Sequence, residues 1–130
     1  MIVYVDTSAA MKLVVEEPET AGVTDYLQAR AGENALVSSL LLHTEMHRAA
    51  SRHPAQIDRQ SVTDVLSTVT LVDVGRVDLL TAGALGGGLR SLDAIHVATA
   101  LRIGADEVVA YDRELIHAAS EAGLRVVTPA

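Results

Sequence analysis

Three observations predict an α/β fold, a three-layer sandwich in which a central parallel sheet of about five strands is flanked by helices. Short apolar runs alternate with longer segments of helical periodicity along the whole chain, the pattern of strand–helix–strand units feeding a parallel sheet. The apolar residues, 49% of the chain, include no Phe, no Trp and only three Tyr. A core of Val, Leu, Ile and Ala suits strands buried on both faces and closely packed helices. At 130 residues the length predicts one domain over 1–130, large enough to bury about two-thirds of its unfolded surface.

The elements follow in order. Residues 2–5 read as the first strand, and Thr7 and Ser8 signal a short helix running to Val15, broken by Glu16-Glu17-Pro18. Residues 19–31 are amphipathic, with Val23, Tyr26 and Leu27 on one side, and stop before Gly32. A brief strand over 35–38 precedes a helix over 40–53 that Ser38 or Ser39 can cap. Pro54 ends that helix and takes the first position of the next, which runs to about Ser67. A third strand over 70–74 leads into a helix over 76–85 ending in Gly86-Gly87-Gly88. That glycine stretch follows a helix, not a strand, so it reads as a connector and not a phosphate-binding loop. Ser91 opens an almost wholly apolar helix over 92–103, closed by Gly104. A strand over 108–110, a helix over 113–122 closed by Gly123, and a strand over 125–127 complete the series.

Charge and composition exclude several classes. A net charge of -7 and a pI near 5.0 have the wrong sign for a protein that coats duplex nucleic acid, though not for a metal-dependent nuclease. Nine of the ten basic residues are Arg, Lys12 being the exception; Arg suits phosphate, and a GC-rich genome produces the same bias. The absence of Cys removes disulfides, Cys-based zinc sites and a thiol nucleophile. The opening apolar run is cut short by Asp6 and has no basic leader or cleavage site. No stretch approaches the ~20 apolar residues of a membrane span, so a cytoplasmic protein is expected. The mean hydropathy of +0.28 fits either an ordinary Ala- and Val-rich surface or apolar surface covered by a partner.

Four acids stand at strand ends or in the first turns of helices: Asp6, Glu45, Asp93 and Asp112. In an open parallel sheet the functional crevice lies beyond the carboxyl ends of the strands, where strand order switches. Carboxylates gathered there repel one another unless they share a cation, and hard divalent cations prefer such oxygen ligands. The set is therefore a candidate for metal-assisted phosphodiester hydrolysis. Each acid also has a structural reading. Asp6 can cap the helix after the first strand, and Ser8 can orient Asp6 or a water, or cap that helix itself. Asp112 is well placed to cap the helix at Arg113, which needs only one of its oxygens. Asp93 gains from a helix dipole, but among so much apolar surface it needs a partner or a metal.

Glu45 lies in His43-Thr44-Glu45-Met46-His47. A zinc-protease helix has Glu directly after the first His; here the Glu stands about 200° round the helix from both histidines, so the three cannot meet on one ion. Glu45 is either buried with Arg48 or lines a cleft, with Arg48 and Arg52 as phosphate contacts. His96, one turn after Asp93, reads as a packed, hydrogen-bonded histidine.

Taken in order, the segments Val3-Tyr4-Val5-Asp6-Thr7-Ser8-Ala9, Leu42-His43-Thr44-Glu45-Met46-His47-Arg48-Ala49, Leu89-Arg90-Ser91-Leu92-Asp93-Ala94-Ile95-His96-Val97-Ala98-Thr99-Ala100 and Val109-Ala110-Tyr111-Asp112-Arg113-Glu114-Leu115 resemble the four acidic motifs of the PIN domain, and specifically of VapC-type toxins of bacterial toxin–antitoxin pairs. The chain departs at Ala110, where many relatives carry Thr and hence a hydroxyl beside the fourth acid. The resemblance implies a PIN-like fold and a Mg²⁺- or Mn²⁺-dependent endoribonuclease that cuts single-stranded or loop regions of structured RNA, tRNA or rRNA. It also implies homodimerisation and inhibition by a cognate VapB-type antitoxin, with dimer and antitoxin surfaces on the first four helices. It assigns Asp6 and Asp93 as main metal ligands, Asp112 as a ligand directly or through water, and Glu45 to the attacking water or a second ion. Attack by metal-bound water would leave a 5′-phosphate and a 3′-hydroxyl. Two other classes compete. A flavodoxin-like phosphoacceptor would carry paired acids after the first strand and a lysine near the last strand, whereas Lys12 is the only lysine. A non-catalytic PIN-like binding module would not need all four acids.

Overall fold

The computed structural model describes residues 1–33 and 35–130. Among them five strands, β1 (Val3–Val5), β2 (Leu36–Ser39), β3 (Thr70–Val72), β4 (Glu107–Val109) and β5 (Val126–Val127), form one sheet in the order β3-β2-β1-β4-β5. Every pairing is parallel. The helices are α1 (Thr7–Met11), α2 (Thr20–Gln28), α3 (Leu41–Arg52), α4 (Arg59–Ser67), α5 (Arg76–Ala84), α6 (Ser91–Arg102) and α7 (Arg113–Glu121).

Side-chain alternation along the central strands builds the two outer layers. Val3, Val5 and Val109 face a core completed by Ala9 and Ala10 of α1, Val23 and Leu27 of α2, Leu42 and Met46 of α3 and Val62 of α4. Tyr4, Val108 and Ala110 face the opposite core, closed by Val97 and Ala100 of α6 and Leu115 and Ala119 of α7. The three-layer sandwich expected from the alternating pattern is the observed architecture. No helix among the described residues is long and apolar enough to cross a membrane.

The predicted closures at Gly104 and Gly123 are present, whereas the helix expected to run to Ala31 and stop before Gly32 ends earlier, at Gln28. Gly104 and Gly123 adopt φ of 68° and 91°. After α6 the Ala105 amide donates to Ala100 O and Gly104 to Leu101 O; after α7 Leu124 donates to Ala119 O and Gly123 to Ser120 O. Both are Schellman closures, which need a left-handed residue that only glycine adopts freely.

Helix α4 starts later than Pro54. Residues 54–56 form a turn in which Gln56 and Ile57 both donate to His53 O, and the buried Ile57 pins that turn to the core. Asp58, extended at φ −80° and ψ 128°, then caps the helix by accepting the Gln60 amide. A helix-start proline was thus outweighed by a later, better cap beside a buried anchor. Large apolar residues are also exposed outside the first four helices. They are chiefly Val77, Leu79 and Leu80 on α5 and Leu92 on α6, with Leu40 before α3. On the first four helices the apolar surface is a groove of about 310 Å³ lined by Leu13, Leu27, Val65 and Val69.

Two buried acids are structural. Glu107 accepts the Tyr26 hydroxyl at 2.6 Å and Arg30 Nε at 3.1 Å. Asp78 accepts Arg102 Nε at 2.7 Å and the Gly75 amide at 2.8 Å, tying α5 to α6. The hydrogen bond from Arg102 holds the Asp78 carboxyl below its ordinary pKa despite the opposing effect of burial. A depressed carboxyl contributes stability above its unfolded pKa and loses it as pH falls through the folded value. Asp78→Asn should therefore flatten the acid limb of a urea-midpoint titration below about pH 4. An unchanged acid limb would show that the pair contributes nothing.

Gly22 of α2 is fixed by close approach. A Cβ there would lie 2.3 Å from the carbonyl oxygen of Ala130, while Tyr111 hydrogen-bonds the neighbouring Pro129 carbonyl. Gly22→Ala should displace residues 128–130 and cost about 1–3 kcal/mol, although alanine elsewhere in a helix stabilises relative to glycine. Thermal denaturation measures the sign.

Candidate active site

Strand order reverses at the β1–β4 pair, since the chain leaves β1 for β2 on one side and returns to β4 on the other. The crevice beyond their carboxyl ends is where such sheets place their chemistry. Asp6 follows β1 and keeps strand pairing through its amide, which donates to Val109 O at 3.0 Å. The residue is 2% exposed. Its Oδ2 accepts the Ser8 amide at 3.1 Å and the Ser8 hydroxyl at 2.5 Å. Its Oδ1 is buried with no hydrogen-bond partner among the described residues, a costly state for a charged oxygen.

Glu45 approaches from α3. Its Oε1 accepts Thr7 Oγ1 at 2.9 Å and lies 2.6 Å from His96 Nε2; Oε2 takes no protein partner among the described residues. Asp93, in the first turn of α6, is mostly buried, and its Oδ2 lies 3.5 Å from Arg90 Nε. Asp112 caps α7, with Oδ1 accepting the Leu115 amide at 3.0 Å. Its Oδ2 is left 3.7 Å from Arg90 Nη2. The cap uses one oxygen and leaves the other, as the sequence reading allowed.

Electrostatics tie three of the acids together. Burial pushes the Asp93 carboxyl above its ordinary pKa, repulsion from Asp112 and then Asp6 adds to that, and Arg90 and His96 work against it. This is the signature of like charges crowded into a low-dielectric crevice. Among the described residues no three His, Asp or Glu side chains sit tightly enough to make a ready ion cage. Yet Asp6 Oδ1 is an orphaned buried acceptor on an acid that is electrostatically coupled to Asp93, itself coupled to Asp112, and an all-oxygen donor set of this kind suits Mg²⁺ or Mn²⁺. The residues fit the ion the sequence reading expects.

The other expected site residues fall into two groups. The Ser8 hydroxyl is committed, donating to Asp6 and accepting the Tyr111 amide at 2.9 Å. It orients Asp6 and ties that acid to the loop after β4, where Ala110 has no hydroxyl to offer. Arg48 and Arg52 are exposed on α3, and neither is in an ion pair among the described residues. His43 and His47 pack against each other with ring centroids 4.5 Å apart, while Glu45 turns to Thr7 and His96, in keeping with the helix-angle argument.

Three contributors went unremarked in the sequence. Thr7 read only as a helix-start residue, Tyr4 only as a strand residue, and Arg90 only as part of a motif. Signals existed: period-two alternation sends Tyr4 to the face opposite Val3 and Val5, and Arg90 stands three residues before Asp93, one helical turn away.

A family model described as PIN domain matches residues 3–121. Ribonuclease VapC46 of Mycobacterium tuberculosis is 38% identical over 130 residues, covering 98% of this chain and 97% of its own. In fold the chain is similar to VapBC2 from Rickettsia felis, solved bound to a DNA fragment from its promoter, with a TM-score of 0.80, 17% identity and full coverage of both chains. It is likewise similar to VapC20 of M. tuberculosis, a sarcin–ricin loop cleaving toxin, with a TM-score of 0.73, 16% identity and coverage of 98% and 99%.

Proposed function

Because this chain belongs to the PIN-domain family, we propose that it is an endoribonuclease, the toxin of a toxin–antitoxin pair, that hydrolyses phosphodiester bonds in the loops of tRNA or rRNA with Mg²⁺ or Mn²⁺. The observation that supports this most directly is the acid-lined crevice at the β1–β4 switch, where Asp6 Oδ1 is buried without a partner among the described residues. Asp6, Asp93 and Asp112 would hold the cation. A divalent ion there would supply Lewis-acid polarisation of the scissile phosphate and would lower the pKa of water.

The chain's own groups supply the rest. Ser8 holds Asp6 in one rotamer through two hydrogen bonds. Glu45, with Oε1 already engaged, presents Oε2 to orient the attacking water and accept its proton. Arg48 and Arg52, exposed and free of ion pairs on the same helix, meet phosphates flanking the cut. Arg90 screens Asp93 and Asp112 at the mouth. A chain of net charge -7 then relies on a local basic strip, so it selects exposed single strands over duplex. An antitoxin would cover the apolar groove between α2 and α4, a second copy of the chain would form a homodimer, and the cytoplasm supplies both RNA and antitoxin.

The test is incubation of antitoxin-free protein with total RNA and Mg²⁺ or Mn²⁺, with sequencing of new 5′ ends. Discrete 5′-phosphate ends that vanish with EDTA are expected; random or absent cleavage would reject the reading. Arg48→Ala with Arg52→Ala should raise KM severalfold, with a weaker salt dependence, and leave kcat nearly unchanged.

A further inference from the structure

A buried chain of polar contacts runs behind the acids from one helical layer to the other. Tyr4 on β1 and His96 on α6 are each 1% exposed. The Ser39 amide donates to the Tyr4 hydroxyl oxygen at 3.2 Å, so the hydroxyl's own proton is left to donate elsewhere. His96 Nδ1 lies 2.6 Å from that hydroxyl and, in the neutral ring, is the acceptor of its proton. A neutral imidazole whose Nδ1 accepts carries its proton on Nε2. Nε2 faces Glu45 Oε1 at 2.6 Å, and a carboxylate can only accept. If the ring takes a second proton, Nε2 keeps its own, so the donation to Glu45 holds in either charge state. Thr7 Oγ1 donates to the same oxygen, and its 3.1 Å approach to Nε2 is that of two donors converging on one acceptor.

We propose that His96 is a positioning residue for phosphodiester cleavage: clamped by Tyr4, it donates from Nε2 to Glu45 Oε1 and so leaves Oε2 as the one oxygen with which Glu45 meets the attacking water. This rests on the ribonuclease reading above. A histidine that merely fills the core would also be buried and bonded. It would not need a partner that fixes its tautomer on one side and a largely buried catalytic-helix carboxylate on the other. The arrangement is the carboxylate–imidazole logic by which outer groups set the orientation of a reacting one.

Two isosteric halves of the imidazole separate the roles. Gln places an amide nitrogen about where Nε2 sits, and Asn about where Nδ1 sits. His96→Gln should keep kcat within about tenfold of wild type, while His96→Asn loses about a hundredfold, with KM unchanged in both. Equal losses, or a loss expressed in KM, would overturn the proposal. Histidine-selective ¹⁵N NMR of the wild-type protein is independent of activity and of how the variants fold. A protonated Nε2 is expected at neutral pH, and a ring protonated only on Nδ1 would overturn the proposal outright. Wild type and Asp6→Asn run alongside. If wild-type protein cleaves no RNA, the ribonuclease reading fails; if Asp6→Asn is dead and the two His96 variants match wild type, only the positioning role fails.

Discussion

Asp6→Asn is expected to abolish RNA cleavage, by on the order of 10³-fold or more, while leaving the melting temperature equal or higher. The two halves of that expectation come from the same atoms. Oδ2 is held by the Ser8 amide and hydroxyl, and an asparagine oxygen can keep both bonds, so the loop after β1 should not move. Oδ1 is the buried acceptor with no partner among the described residues, on an acid coupled electrostatically to Asp93. Replacing it by a neutral amide removes a desolvated charge and its repulsion with the other acids. It also removes the oxygen best placed to bind a cation. Stability gained where activity is lost is the usual mark of a site selected for chemistry over folding. A variant that melts lower and still cleaves would remove Asp6 from the site and return it to a helix cap.

Asp93→Asn should cost nearly as much activity, about 10²–10³-fold, and the reason lies in how α6 presents it. The carboxyl is pushed up by burial and by Asp112 and Asp6, with Arg90 and His96 opposing, so it is the acid most coupled to the others. Arg90 is the contrast. Its side chain is 78% exposed and its contacts with Asp93 and Asp112 are 3.5 and 3.7 Å, distances at which a solvated ion pair contributes little. Arg90→Ala should change kcat less than tenfold and, with a competing positive charge removed, lower the cation needed for half-maximal rate by no more than severalfold. Comparable losses from Asp93→Asn and Arg90→Ala would mean that Arg90 touches the reacting phosphate itself.

Much of the site was legible because its constraints are local. Asp6 and Asp112 follow strands that any reading of apolar runs will find, and a residue directly after a parallel strand lies at the sheet's carboxyl edge whatever the rest of the chain does. The failure of a zinc motif at His43, Glu45 and His47 was a matter of helix angle alone. The Schellman closures at Gly104 and Gly123 were equally local, since each needs only a glycine and the turn before it. The start of α4 was not legible, because Pro54 was the only start signal read there, and the cap at Asp58 follows from where Ile57 is buried. Nor were the roles of Asp78 and Glu107, which in sequence differ in no way from solvated acids. Each is buried only because an arginine on another element, Arg102 or Arg30, reaches it.

The amino-acid sequence alone determined the α/β alternation, the order of the four acids and the helix closures at Gly104 and Gly123, because these depend on neighbours within one or two turns. Only the tertiary structure decided which oxygen of each acid is spent and which is free. That division depends on groups 38 to 103 residues apart along the chain, Thr7 with Glu45, His96 with Tyr4 and Tyr111 with Ser8. They meet because the β1–β4 switch and the helices on either side of the sheet bring them to one edge. A hydrogen bond acts over about 3 Å, and no periodicity in the sequence reports which distant partners the packing will place at that distance.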